Sequence, residues 1–459
     1  MSSGTVDVLS AINAIPDRKV PGAVVGAGIG AMVLGLAGFG YGLATAPEWA
    51  WSAALVGILY TLSLAQGGVI FSVIATVTWA RWSRPLKRVA EAFGFFVPVA
   101  WLALIAFLLF GTGLYPWNPD TFVEGGPVSL EPHYSATLFA AKPVWLSKGF
   151  FITRQIVGVG LLLALNVVYL RASLRPDLIQ AKAVLGAKAP AWWDRIIGTP
   201  SASLEKAVEE GQATQTKIAP VIGVVYALVF SMLAFDLIMS LSPLWYSNMF
   251  GGWYFTNSFW LAAQGIGVFT LFARDWLGLG DAVKSKTMHD LGKLILGFTM
   301  AWAYMLFAQI LPIWYTNMPE ETDYLMVRMI LPQWSWLAKT VAILCFVMPF
   351  TVLVSRGIKK LRWPFAAMLA VMMFGVFLER TLLVVPSVYK GDEFPIATFL
   401  IVSVGVWIGF LGAFFTVVTQ VIAKLPALPI SDPKLEDHPW DLHAHSLDHH
   451  DGHGAHHGA

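Results

Sequence analysis

Five ionisable residues of this 459-residue chain fall inside long apolar runs: Arg154, Asp236, Lys339, Glu379 and Arg380. A charge in hydrocarbon costs several kcal/mol, so it persists where it is paired or where it does chemistry. At about 1.5 Å per residue, Glu379 and Arg380 lie roughly 9–10 Å inside one end of their run. The other three fall at similar depth in the same half, so pairing is open to them. Asp236 with Arg380 or with Arg154 would neutralise charges that neither could bear alone. A carboxylate beside a guanidinium can hold and pass a proton, with the cation setting its pKa. In that reading Asp236 shuttles protons, Arg380 tunes it and Glu379 relays. The competing reading is a set of satisfied ion pairs that fix helix register. Neighbours on a helix point about 100° apart, so Glu379 and Arg380 face different surroundings. Lys339 and Lys148 sit near run ends, where a long side chain reaches the interface.

Uncharged and inner polar residues extend this set across the apolar layer. Gln66 and Gln264 fall near mid-run, and Asn166, Glu91 and Lys293 fall in the opposite half. They read as interhelical hydrogen bonds worth about 0.6 kcal/mol each, or as supports for a water chain.

Several chemistries are excluded by missing residues. A membrane haem needs axial ligands facing the bundle, most often histidines. Outside the C-terminal tail the chain has two, His133 in an outer loop and His289 at an inner helix start. One cysteine, Cys345, leaves no disulfide, Fe–S cluster or Cys-based zinc site within the chain and reads as a small buried hydrophobe. No phosphate-binding Gly loop is present. The tail from Pro426 holds eight of the ten histidines. His443, His445, His449 and His450 are weak metal candidates there, against a plain solvated tail. No bound cofactor is expected of this chain.

The elements that must position these residues are membrane helices. The chain is 57% hydrophobic and 13% charged, against about 25% charged in a soluble protein. A net charge of +2 points to no nucleic acid. Spans need roughly 20 apolar residues. Such runs lie at 20–44, 50–79, 90–114, 145–170, 218–242, 253–273, 290–312, 334–355, 363–386 and 396–422. The expectation is an all-α polytopic membrane protein of about ten helices, with 1–19 a cytoplasmic segment rather than a cleavable signal. The membrane domain spans 20–424 and a His-rich, disordered cytoplasmic tail covers 425–459. Lys and Arg crowd alternate loops: Arg81 to Arg88, Arg171 to Lys217, Arg274 to Lys286 and Arg356 to Arg362. That alternation puts both termini in the cytoplasm of a bacterial inner membrane. Loop 171–217 reads as a cytoplasmic surface segment, either with short amphipathic helices around 189–193 and 204–208 or as a plain ordered loop. Loops 115–144 and 313–333 are periplasmic. Trp145, Trp245, Trp253, Trp314, Trp334 and Trp336 crowd the periplasmic ends as an aromatic belt.

Two stretches carry a resemblance. One runs from Asp236 through Ser240, Pro243, Trp245 and Ser247 to Gly251. The other runs from Gln309 through Trp314, Tyr315, Asn317 and Pro319 to Glu321, with Arg328 downstream. Together with the ten-run layout they resemble the NrfD/polysulfide-reductase-type membrane subunits, nearest to those of alternative complex III and, within it, to the one that accompanies a quinol-oxidising sister. The resemblance implies two four-helix bundles, runs two to five and six to nine, flanked by extra helices. It also implies a complex oxidising quinol for a cytochrome c or another periplasmic acceptor. The expected partners are a homologous quinol-oxidising membrane subunit, a periplasmic Fe–S protein and multihaem cytochromes c, which would carry the haem and Fe–S clusters. Asp236, Glu379 and Arg380 match the family's polar positions, and 314–328 would cap the bundle towards the partner. The membrane-embedded His expected of the quinol-oxidising sister has no counterpart here. That departure favours a proton-conducting or scaffold role over quinol turnover. The rivals are a structural anchor for peripheral electron carriers and a secondary transporter.

Overall fold

The computed structural model describes residues 8–118, 121, 144–199, 201–243, 245–280, 282–389, 391–432 and 435. Helix is the sole regular element among them, as an apolar solvent demands, because a helix satisfies its backbone groups internally. The long helices are α1 (Gly22–Thr45), α2 (Pro47–Val77), α3 (Arg84–Phe110), α4 (Lys148–Lys188) and α5 (Leu204–Leu241). They continue with α6 (Asn248–Ala273) and α7 (Ser285–Thr316). A short α8 (Pro319–Met329) follows. The last three are α9 (Pro332–Val354), α10 (Arg362–Ser387) and α11 (Ile396–Ala423).

Nine helices of the described residues are long and apolar enough to cross a membrane. The tenth sequence run, 253–273, lies in α6, which is less apolar for a physical reason. It is packed among α2, α5, α7 and α10 and buries Asn257, Ser258, Gln264 and Thr270. An enclosed helix is spared contact with lipid and can carry such groups if its neighbours meet them. α2 is the other enclosed helix, buried almost continuously from Trp49 to Val73. It packs on α3 and α5 on one side and on α6 and α10 on the other. The two bundles, α2–α5 and α6, α7, α9 and α10, therefore meet along α2 and α6.

The helices overrun several apolar runs. The segment 171–217, expected as a loop with short helices, is mostly the ends of α4 and α5. The connection is 189–203, which holds one short helix at Trp193–Ile197. Good helix formers and an N-cap at Ser203, whose hydroxyl accepts from the amide of Lys206, carry the helices past the apolar stretch. The two ends of the membrane domain meet on this face. Arg18 Nη1 donates to the carbonyl of Leu425 (3.1 Å), and Trp193 Nε1 to that of Lys424 (3.1 Å). Asp432 pairs with Arg84 at 2.8 Å. We refer to it as the termini face.

The flanking helices α1 and α11 are joined by small residues. A Cβ added to Gly35 would lie 2.6 Å from the Cα of Gly409, so the backbones touch there. Gly409→Val is expected to force them apart and cost about 1–3 kcal/mol. Thermal unfolding in detergent measures this, and an unchanged melting temperature would contradict the packing.

Candidate functional site

Asp236 sits in a π-helical turn, 234–238, at the end of α5. The extra residue in such a turn frees a backbone position and is common at special sites. It is held by α4: Arg154 donates from Nε to Oδ2 (2.6 Å) and from Nη2 to Oδ1 (2.7 Å). Gln155 Nε2 donates to Oδ2 as well. Arg154 is held in turn by the carbonyl of Trp145 (2.6 Å), and its guanidinium lies 4.2 Å from the Trp145 ring centre. Ser240 donates to the Asp236 carbonyl, and Trp117 Nε1 donates to Ser240 (3.2 Å). Of the two partners open to Asp236 in the sequence, the structure selects Arg154. The fork geometry fills both carboxylate oxygens.

Glu379 and Arg380 form a separate cluster in the second bundle. Glu379 is 3% exposed. It accepts from Asn257 Nδ2 at 2.7 and 2.6 Å and from Trp302 Nε1 at 2.9 Å. Arg380 is 0% exposed, and its guanidinium lies over Tyr254, 4.1 Å from the ring centre. Its Nε, Nη1 and Nη2 have no hydrogen-bond partner among the described residues, and neither does the Tyr254 hydroxyl. Arg380 is therefore apart from Asp236, contrary to one of the two sequence pairings. A cation–π contact attracts the charge but satisfies none of five N–H donors.

Polar groups continue from this cluster towards the termini face along α2. Ser63 and Ser258 share a hydrogen bond (2.9 Å). Gln66 and Asn166 exchange two, at 2.7 and 3.3 Å. Gln264 is buried with both amide atoms unbonded among the described residues. Further on, Ser72 donates to Glu91 (2.9 Å) and meets Tyr169 (3.0 Å), which also meets Thr76 (2.8 Å). Glu91 belongs to a buried charge network. Arg88 bonds Asp177 through Nε (2.9 Å) and Nη2 (2.5 Å). It reaches Glu91 through Nη1 and Ser173 through Nη1 and Nη2. Lys87 lies 3.9 Å from Glu91, and Asp177 accepts from the amide of Ser431 (2.9 Å).

The sequence reading placed Lys87, Arg88 and Asp177 in loops and so missed them as a site. The legible signal was helical spacing, since Lys87 and Arg88 lie four and three residues before Glu91. Lys293, read as an inner-half polar group, is solvent-facing and paired with Asp290 (2.6 Å). Lys339 is exposed, as snorkelling requires. Cys345 is fully buried. Of the six tryptophans expected in an aromatic belt, Trp145, Trp314 and Trp336 are exposed, whereas Trp245, Trp253 and Trp334 are buried. Those pack inward: Trp245 stacks on Tyr324 at 3.8 Å, and Trp334 packs with Trp49 and Phe394.

Arg328 of α8 ties the end far from the termini together. It donates to the carbonyls of Tyr324 (3.0 Å) and Leu383 (2.9 Å) and to Ser387 (2.5 Å). Burial lowers its pKa and raises that of nearby Asp323, against the opposing pull of the Arg328 charge. No group of three or more metal-ligating side chains occurs among the described residues. His443, His445, His449 and His450 lie outside them, as does His133.

These features define an all-α polytopic membrane protein with two buried polar clusters on a common polar line. Compared with known proteins, the chain matches no family model and no curated sequence.

Breaking the Arg154–Asp236 pair isolates a buried carboxylate. Arg154→Ala is expected to cost about 3–5 kcal/mol, whereas replacing both with apolar residues, Arg154→Met and Asp236→Leu, recovers most of it. Chemical unfolding of the three variants checks this. Equal losses for the single and double variants would contradict a pair whose charges need one another.

Proposed function

We propose that this chain is a proton-conducting membrane subunit of a quinol-linked oxidoreductase of the NrfD/alternative complex III type, set in a bacterial inner membrane with both termini cytoplasmic. The carrying observation is the polar line along α2. Buried Tyr60, whose hydroxyl donates to the carbonyl of Met373 on α10, lies at one level. Ser72, which donates to Glu91, lies at another, 12 residues further along α2. At 1.5 Å per residue that is about 18 Å, over half of a hydrocarbon layer about 30 Å thick. Between them stand Ser63–Ser258 and Gln66–Asn166.

In this reading Glu379 is the group that takes up and releases a proton. Its oxygens face the amide of Asn257 and the indole of Trp302, neutral donors that remain bound in either protonation state. Arg380, charged and short of acceptors, supplies the field that sets how readily Glu379 ionises. Asp236 is matched in charge by Arg154, which favours a bracing role for that pair over the shuttle first assigned to it. The Arg88–Glu91–Asp177 network forms the exit on the termini face. The step from Gln66 to Ser72, about 9 Å, is closed by tight packing at Gly68, where a Cβ would meet the Ala90 carbonyl at 2.6 Å. Passage there needs side chains to move, which makes it the gate. Exposed Trp314 and Tyr315 sit beside α8 as a surface for periplasmic partners. Those partners would be the Fe–S protein, the multihaem cytochromes and the quinol-oxidising sister, which bring the redox groups and oxidise the quinol.

Glu379→Gln keeps the side chain's size and one acceptor oxygen for Asn257 and Trp302 and removes the exchangeable acid. In the assembled complex it is expected to lower proton-coupled turnover on the order of 100-fold, the scale of a lost proton-transfer group. Quinol oxidation with proton release is the measurement. Unchanged turnover and unchanged proton release in an intact complex would overturn the assignment.

A further inference from the structure

The start of α7 violates the usual charge rule for helices. The N-terminus of a long helix carries a partial positive charge and favours acids. Here Lys284 stands at the N-cap, no side chain caps the amides and the first turn holds no acidic residue. Lys286, His289, Asp290 and Lys293 then line one stripe of the helix, at i, i+3, i+4 and i+7 spacing. Across from them runs the connection between α9 and α10.

The two elements enclose a cavity of about 570 Å³ lined by Ser285, Lys286, His289, Asp290, Lys293, Arg356 and Lys360. Its lining includes one carboxylate among the described residues, Asp290, and Lys293 already occupies it at 2.6 Å. Arg356 and Lys360 have no carboxylate partner among the described residues. Lys359 adds a further cation. Its stem is packed so closely over α7 that a Cβ on Gly292 would lie 2.6 Å from its Cδ. Burial and the nearby Lys293 charge lower its pKa. Cations gathered around an uncapped helix start repel one another, and an anion in their midst relieves both the repulsion and the unmet amides. Exposed Val354 and Leu361 flank Arg356 and Lys360 along the chain and offer apolar surface to acyl chains.

We propose that this cavity binds a phosphate group, with Arg356, Lys360, Lys293 and the first amides of α7 as its donors. A phospholipid headgroup and a free phosphate share that chemistry. The test uses the purified full chain and two probes: lipid retained from mixed phosphatidylglycerol, cardiolipin and phosphatidylethanolamine micelles, read by native mass spectrometry, and inorganic phosphate, read by thermal shift. Anionic lipid retained over phosphatidylethanolamine, with no response to millimolar phosphate, assigns a lipid headgroup. Stabilisation by phosphate that displaces the lipid assigns a soluble source. In either case R356Q/K360Q is expected to bind about 30-fold more weakly, about 2 kcal/mol at about 1 kcal/mol per cation. The charge-matched control K182Q/K188Q, at the exposed end of α4 and outside the cavity lining, is expected to bind as the parent does. Equal binding by R356Q/K360Q and the parent, or equal losses in both double variants, would overturn the site. So would no binding of either probe.

Discussion

A helix enclosed on every side by other helices has neither water nor lipid headgroups to satisfy its polar side chains. α2 is such a helix, and its neighbours are chosen accordingly. Ser63, Gln66, Ser72 and Thr76 each meet a partner from α4 or α6. The contacts to α4 fix the rotation of α2 within its own bundle, while Ser63–Ser258 and the Tyr60 hydroxyl on the Met373 carbonyl join the two bundles. Burying a polar group without a partner costs about 1–3 kcal/mol, which makes the line specific as well as stabilising.

The same constraint sorts the charges. Arg154 and Asp236 satisfy each other, with Gln155 and the Trp145 carbonyl taking the remaining positions. Arg88 is shared between Asp177 and Glu91. These groups are closed. Arg380 is open: fully buried, beside an aromatic face, its donors unmatched by the described residues. Its neighbour Glu379 uses its oxygens on Asn257 and Trp302 instead. An open buried cation next to a carboxylate is a poor structural brace and a good regulator of proton affinity.

Much of this was legible in the residues. Apolar runs of the right length gave the helices, because lipid imposes length and composition directly. The same runs exposed Arg154, Asp236, Glu379 and Arg380 as exceptions. Pairing was not legible, since helix rotation decides whether Asp236 turns to Arg154 or Arg380, and rotation is set by packing over the whole bundle. Where an apolar run ends is also not where a helix ends. α4 and α5 continue as helices beyond their apolar stretches, which hid Asp177 from view. Trp245, Trp253 and Trp334 misled for a related reason: a tryptophan near a span end can face lipid headgroups or a neighbouring helix, and composition is the same for both.

The proposed function requires the line from Arg380 to Arg88 to hold bound water on both sides of the constriction at Gly68 rather than to be a row of dry hydrogen bonds. Radiolytic hydroxyl-radical footprinting of the protein in membranes reports it directly, because buried side chains are labelled where bound water lies beside them. Tyr254 and Tyr169, both 0% exposed, should be labelled, while the equally buried Phe93 and Phe414, packed ring to ring, should not. Labelling confined to surface residues, with Tyr254 and Tyr169 as inert as Phe93, would contradict the account.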